Sequence, residues 1–219
     1  EASDDAGAEG REQVASGGHS FGVRGGDTWR LRPARSVFRR AAQPRAMPTV
    51  IAFETEDGAV LAADRLVVDN DTVSSKNADR IAEFGDCGAA AVADPDRFRR
   101  ELDGERRRYE TDHGEGPEIE PFTRMATEVA GAVGTDAAVV ARDGDGRAQV
   151  RAVYADGSVI DDSPVALGTG AELAFGRLEA GVPSDLNEAG SFAREVIEGV
   201  AERDTRTGEA ADVWTLSNA

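Results

Sequence analysis

One cysteine, two histidines and one lysine are all that the 219 residues hold of those three types. Cys87 standing alone excludes an internal disulfide framework and any cysteine-based zinc site. With His19 and His113 as the only imidazoles, a His-dependent triad or a multi-histidine metal centre is not expected. No metal or cofactor is therefore expected. No stretch approaches the roughly 18 apolar residues of a membrane-spanning helix. No basic-then-apolar leader is visible, so no membrane partner is expected.

What the chain does have is negative charge. The formal net charge is -17. It is unevenly spread: residues 1–46 hold eight arginines and six acidic residues, whereas residues 47–219 hold 17 basic and 36 acidic ones. Such a surface repels nucleic acid. The basic residues are 24 arginines and Lys76. Abundant Asp and Glu with almost no lysine is a chain-wide bias. It reads as adaptation to a salt-rich cytoplasm, where dense counterions screen self-repulsion.

Residues 1–46 carry Gly pairs at 17–18 and 25–26 and no lasting helix or strand period, so they read as disordered or as an extension outside the fold. Residues 47–219 read as one domain. Met47 is a candidate internal start, and its removal would expose Pro48.

The pattern from Thr49 onward predicts strands at 49–54 and 59–66 around an Asp57-Gly58 turn. Short strands follow near 72–75, 79–84 and 88–93. Asp94-Pro95 reads as a capped helix start, with a helix to about Tyr109. An acidic loop at 111–120 precedes a second helix at 121–133. Strands at 137–142, 148–154, 158–160 and 165–167 lead to helices at 171–180 and 187–203, and a strand at 212–216 closes the order. Strands grouped apart from helices predict an α+β class with antiparallel sheets. Two sheets face to face, each covered by a helix pair, would bury all four amphipathic helices.

Four ordered blocks carry a resemblance: TVIAFETEDGAVLAADR, VSSKNADRIAEF at 73–84, GSVIDDSPVALGTGAELAFGRLE at 157–179 and EGVAERDTRTGEAADVWTL at 198–216. Together they resemble the proteasome β-type subunits, of a haloarchaeal kind, over about residues 49–216. The resemblance implies the αββα sandwich of the N-terminal nucleophile hydrolases. It also implies threonine-type endopeptidase chemistry in intracellular protein degradation, polypeptide substrates, and ring partners that are α- or β-type subunits or copies of the same chain.

In that family an N-terminal threonine hydroxyl attacks the peptide carbonyl while its own α-amine, or a nearby water, takes the proton. A lysine tunes the amine, an aspartate holds the lysine, and a backbone N–H stabilises the oxyanion. Anchored on Asp57-Gly58 and Ala63-Asp64, the resemblance places the family aspartate at Asp64, the nucleophile at Pro48 and the following residue at Thr49. The lysine position falls on Arg80, and the oxyanion N–H on Ala93. The supporting hydroxyl and carboxylate groups fall on Thr169, Asp204 and Thr207. Pro48 has no hydroxyl, and Arg80 stays protonated at ordinary pH. Arg80 and Asp64 are expected to form a fixed ion pair.

Three functions stay open at this point. One is a catalytically degenerate subunit with a structural or assembly role. The second is an active endopeptidase using Thr49 after a cut between Pro48 and Thr49. The third is a free-standing binding module of the same fold. Among other residues, Lys76 is expected to anchor a turn with Asn77, Cys87 to be a buried filler, and His113 to be solvated in the acidic loop. Gly168-Thr169-Gly170 is expected to pack or cap. The arginines of 97–108, interleaved with Glu101, Asp103 and Glu105, predict an ion-paired exposed helix.

Overall fold

The computed structural model describes residues 47–69 and 72–219, so the expectation for residues 1–46 lies outside the described residues. Two antiparallel sheets form the middle of the molecule. In the first, β10 (Val165–Leu167), β1 (Val50–Glu54), β2 (Gly58–Asp64) and β11 (Ala211–Ser217) lie side by side in that order. In the second the order is β5 (Ile81–Glu83), β6 (Cys87–Ala91), β7 (Ala137–Arg142), β8 (Ala148–Val153) and β9 (Val159–Ile160). A separate hairpin pairs β3 (Val67–Asp69) with β4 (Thr72–Ser75). Helices α1 (Pro95–His113) and α2 (Ile119–Val133) cover the second sheet, and α3 (Ala171–Glu179) and α4 (Leu186–Ala201) cover the first. This is the predicted αββα sandwich.

The strand period of two sorts side chains between layers. Val50 and Ala52 of β1 enter the core between the sheets, while Ile51 and Phe53 face α3 and α4. On β7, Ala138 and Val140 point to the inter-sheet core, and Ala137, Val139 and Ala141 point to α1 and α2. Cys87 lies in that outer layer, and burial pushes its thiol up to about 12. It is a filler, as expected. Across the inter-sheet core, Trp214 of β11 lies against Gly88 of β6, where an added Cβ would come within 2.6 Å of the indole.

Several boundaries differ from the sequence reading. The strand expected to run to residue 66 ends at Asp64, and a new strand, β3, begins at Val67. The helix expected to stop near Tyr109 runs to His113, where Gly114 closes it in the left-handed conformation (φ 82°) with its N–H on Glu110 O. His113 is therefore no loop residue. It stacks on Tyr109, and its Nδ1 meets the Tyr109 carbonyl at 2.9 Å. Asp94 does not cap α1 either: it sits at φ 45° and makes no side-chain cap bond, so Pro95 alone marks the start.

The arginines of α1 are ion-paired as predicted. Arg97 bonds Glu101, Arg106 and Arg107 share Asp103, and Arg108 meets Glu105. Asn77 donates its N–H to Ser75 Oγ in the bend after β4, where Lys76 is exposed. No helix among the described residues is long and apolar enough to cross a membrane.

Candidate active site

The start of β1 is held from three sides. Thr49 is completely buried, and its amide N–H donates to Asp64 Oδ2 at 2.7 Å. Its hydroxyl accepts the N–H of Gly170 at 3.1 Å and lies 2.7 Å from Thr207 Oγ1. Thr207 gives its only hydroxyl proton to Asp204 Oδ2 at 2.7 Å. The Thr49 hydroxyl must then be the donor to Thr207, which gives one relay: Thr49 to Thr207 to Asp204. Thr169 joins at the far end, with its hydroxyl 2.8 Å from Asp204 Oδ2 and 2.9 Å from Met47 O.

Close approach of backbones makes this possible. Gly168 has φ 93°, and a Cβ there would overlap the Pro48 carbonyl oxygen at 1.6 Å. At Gly170 a Cβ would stand 2.4 Å from the Thr49 hydroxyl and 2.3 Å from Val200. The Gly-Thr-Gly segment thus packs against β1, as expected, and its last N–H is spent on the Thr49 hydroxyl.

Asp64 ends β2 fully buried. Besides Thr49 it accepts the N–H groups of Leu66 at 2.7 Å and Gly208 at 3.1 Å, both on Oδ1. Burial pushes its carboxyl above the usual carboxylate range, against the pull of these three N–H groups and of the nearby Arg80 charge. Asp204 behaves oppositely. Partial burial opposes its ionisation, but hydrogen bonds from Thr207, Thr169 and the Arg206 N–H outweigh that and hold it below the usual range.

The expected Asp64–Arg80 ion pair does not form. Arg80 is buried, and its Nε donates to the backbone carbonyl of Asp64 at 2.9 Å while Nη2 donates to the carbonyl of Leu66. Both oxygens of the Asp64 carboxylate are already engaged by backbone N–H groups, and the guanidinium spans the bend between β2 and β3 and ties two carbonyls there. Burial lowers its proton affinity, against the attraction of Asp64. Ala93 is also committed elsewhere: its N–H donates to Thr135 Oγ1 at 2.9 Å.

The structure therefore brings Thr49, Asp64, Thr169, Asp204 and Thr207 into one network with Pro48 and Arg80 beside it. It adds four contacts that the sequence reading did not assign, those of the Gly170, Gly208 and Leu66 N–H groups and of the Met47 carbonyl. Only the glycines flanking Thr169 and following Thr207 hinted at them. Thr207 also forms part of a cleft of about 460 Å³ lined by Leu66, Val73, Lys76, Thr205 and Glu209. No cluster among the described residues is suited to hold a metal ion.

A family model described as "Proteasome subunit" matches residues 46–216. The chain is 30% identical over 179 residues to a proteasome subunit beta of Natrialba magadii, a match covering 78% of this chain and 74% of the relative. It is 30% identical over 169 residues to proteasome subunit beta 2 of Haloterrigena turkmenica, covering 73% and 71% of the two chains. With proteasome subunit beta 2 of Thermofilum pendens the identity is 25% over 182 residues, covering 78% and 89%. The match takes in β1 and the Asp204–Thr207 segment alike, and the chain belongs to the β-type proteasome subunit family.

Proposed function

We propose that this chain is a proteasome subunit of a salt-rich cytoplasm that serves protein degradation through its place in the assembly and does not itself cleave peptides. The observation that carries this reading is the state of the start of β1. Pro48 stands at the nucleophile position and offers no hydroxyl. Thr49, the nearest hydroxyl, is completely buried, its nitrogen is an amide bonded to Asp64, and its oxygen both donates and accepts within the fold. A nucleophile needs a free hydroxyl and a base within reach. Arg80, pinned to two carbonyls and always charged, is a poor substitute for a lysine that tunes an amine. The partners this reading implies are proteasome α- or β-type subunits or further copies of the chain.

One observation favours a second reading, an endopeptidase that uses Thr49. The Thr49–Thr207–Asp204 relay connects the Thr49 hydroxyl, through that of Thr207, to an ionised carboxylate. A cut between Pro48 and Thr49 would place a free amine on Asp64.

Intact-mass and N-terminal analysis of the native protein, combined with hydrolysis of fluorogenic peptides in molar salt, separates the two. The non-cleaving reading expects no turnover and no chain beginning at Thr49. A chain beginning at Thr49, with turnover that Thr49→Ala abolishes, overturns it. A free-standing binding module would show neither turnover nor association with proteasome subunits.

A further inference from the structure

Lys76 is the one lysine among 25 basic residues. The arginines of α1 are tied down: Arg97 by Glu101, Arg106 by Asp103, Arg108 by Glu105. Lys76 is not. It stands exposed in the bend after β4 and enters no ion pair or side-chain hydrogen bond among the described residues. It lines the cleft of about 460 Å³ that Thr207 also borders. That volume falls in the range of small-ligand sites, roughly 300–1,000 Å³.

Glu209, in the segment before β11, lines the same cleft. It too is exposed and unpaired among the described residues, and so is the hydroxyl of Thr205. An ammonium and a carboxylate thus border one cleft without closing on each other. Leu66, Val73 and Ala201 supply apolar lining. Val73 is 49% exposed, more than any other large apolar side chain described. A ligand with a single charge would meet one attractive and one repulsive group here, whereas a ligand with both charges satisfies the two. A free amino acid carries its charges on one carbon. A short peptide spreads them along a backbone, as two groups on separate elements that do not reach each other require.

We propose that this cleft binds a short aliphatic peptide with both termini free, its carboxylate on Lys76, its ammonium on Glu209 and a side chain against Leu66 and Val73. Lysine suits the role: its ammonium is compact and turns three donors toward a carboxylate, whereas a guanidinium needs a planar approach. The Thr205 hydroxyl is available to the peptide backbone. A bound peptide would brace the segment 205–209, whose Thr207 and Gly208 hold Thr49 and Asp64. Direct charged contacts at about 2.7–2.9 Å fall within the screening length of roughly 3 Å at molar salt, so they persist in a salt-rich medium. The inference goes beyond the non-cleaving reading and does not depend on it: that reading is decided by turnover and N-terminal analysis, this one by binding.

Ligand-observed NMR titration of the full chain in molar KCl with alanyl-leucyl-alanine tests it. The free tripeptide is expected to bind. Its N-acetyl form and its C-terminal amide are each expected to bind about three- to tenfold more weakly, and free leucine more weakly than the tripeptide. Lys76→Met should erase the difference between acid and amide, and Glu209→Gln the difference between free and acetylated amine. Both positions are exposed, and thermal unfolding without peptide checks that the two variants keep the fold. The inference is overturned if the tripeptide does not bind, if its capped forms or leucine bind as well as it does, or if either difference survives the matching substitution.

Discussion

Asp64 and Asp204 lie on opposite sides of Thr49 and have opposite chemistry. Asp64 is fully buried and bound by amides alone: the N–H groups of Thr49, Leu66 and Gly208 converge on it. It joins β1, the bend after β2 and the loop before β11. Asp204 is partly exposed and bound mainly by hydroxyls, those of Thr207 and Thr169. The fold raises the first carboxyl and depresses the second. Desolvation decides at Asp64, and donated hydrogen bonds decide at Asp204. The residue type is the same, yet one aspartate is a knot in the backbone and the other is the end of a hydroxyl relay.

The largest effect should come from untying the knot. Asp64→Ala leaves three N–H groups without their acceptor in the interior, and is expected to lower stability by about 3–5 kcal/mol. Urea denaturation in molar salt measures this, and a loss below about 1 kcal/mol would assign Asp64 no structural role. Thr207→Val interrupts the relay at its centre while keeping the side-chain shape. A loss of about 1–3 kcal/mol is expected, and a double-mutant cycle with Thr49→Val should reveal coupling of at least about 0.5 kcal/mol. Thr169→Ala removes a hydroxyl at the exposed end and should cost about 0.5–1.5 kcal/mol.

The subtlest test uses acid. The depressed Asp204 carboxyl contributes stability that is present above its unfolded value near 3.8 and is lost as the pH falls through its lower folded value. Asp204→Asn should flatten that acid-side loss. The raised Asp64 carboxyl has the opposite sign: its ionised form is unfavourable above the folded value, and protonation relieves the penalty as the pH falls. Asp64→Asn should make the acid-side decline steeper. Urea midpoints measured between about pH 6 and pH 3 distinguish the two, and identical profiles would erase the contrast.

Much of the fold was legible because alternation in segments such as Val50–Glu54 and Ala137–Arg142 is a local signal, fixed by which neighbours a side chain meets. The network was legible as a set of residues: counting back from Asp64 located Pro48 and Thr49, and the four blocks located Arg80, Thr169, Asp204 and Thr207. How these groups are wired was not legible. Arg80 was expected on the Asp64 carboxylate, but its reach across the bend depends on where β2 stops, two residues before the sequence pattern does. Ala93 follows from the family resemblance, yet its N–H is taken by Thr135, 42 residues away in sequence. Asp94 failed as a cap because its backbone turns left-handed, which no side-chain preference announces. Partners brought together by folding leave little trace in the local pattern.

The contact of Trp214 with Gly88 gives this fold a built-in optical gauge. The indole belongs to one sheet and touches the backbone of the other, so its emission depends on the spacing between them. With the second tryptophan, Trp29, changed to phenylalanine, a red shift would report water entering between the sheets, and Gly88→Ala would set the sheets slightly apart in the folded protein.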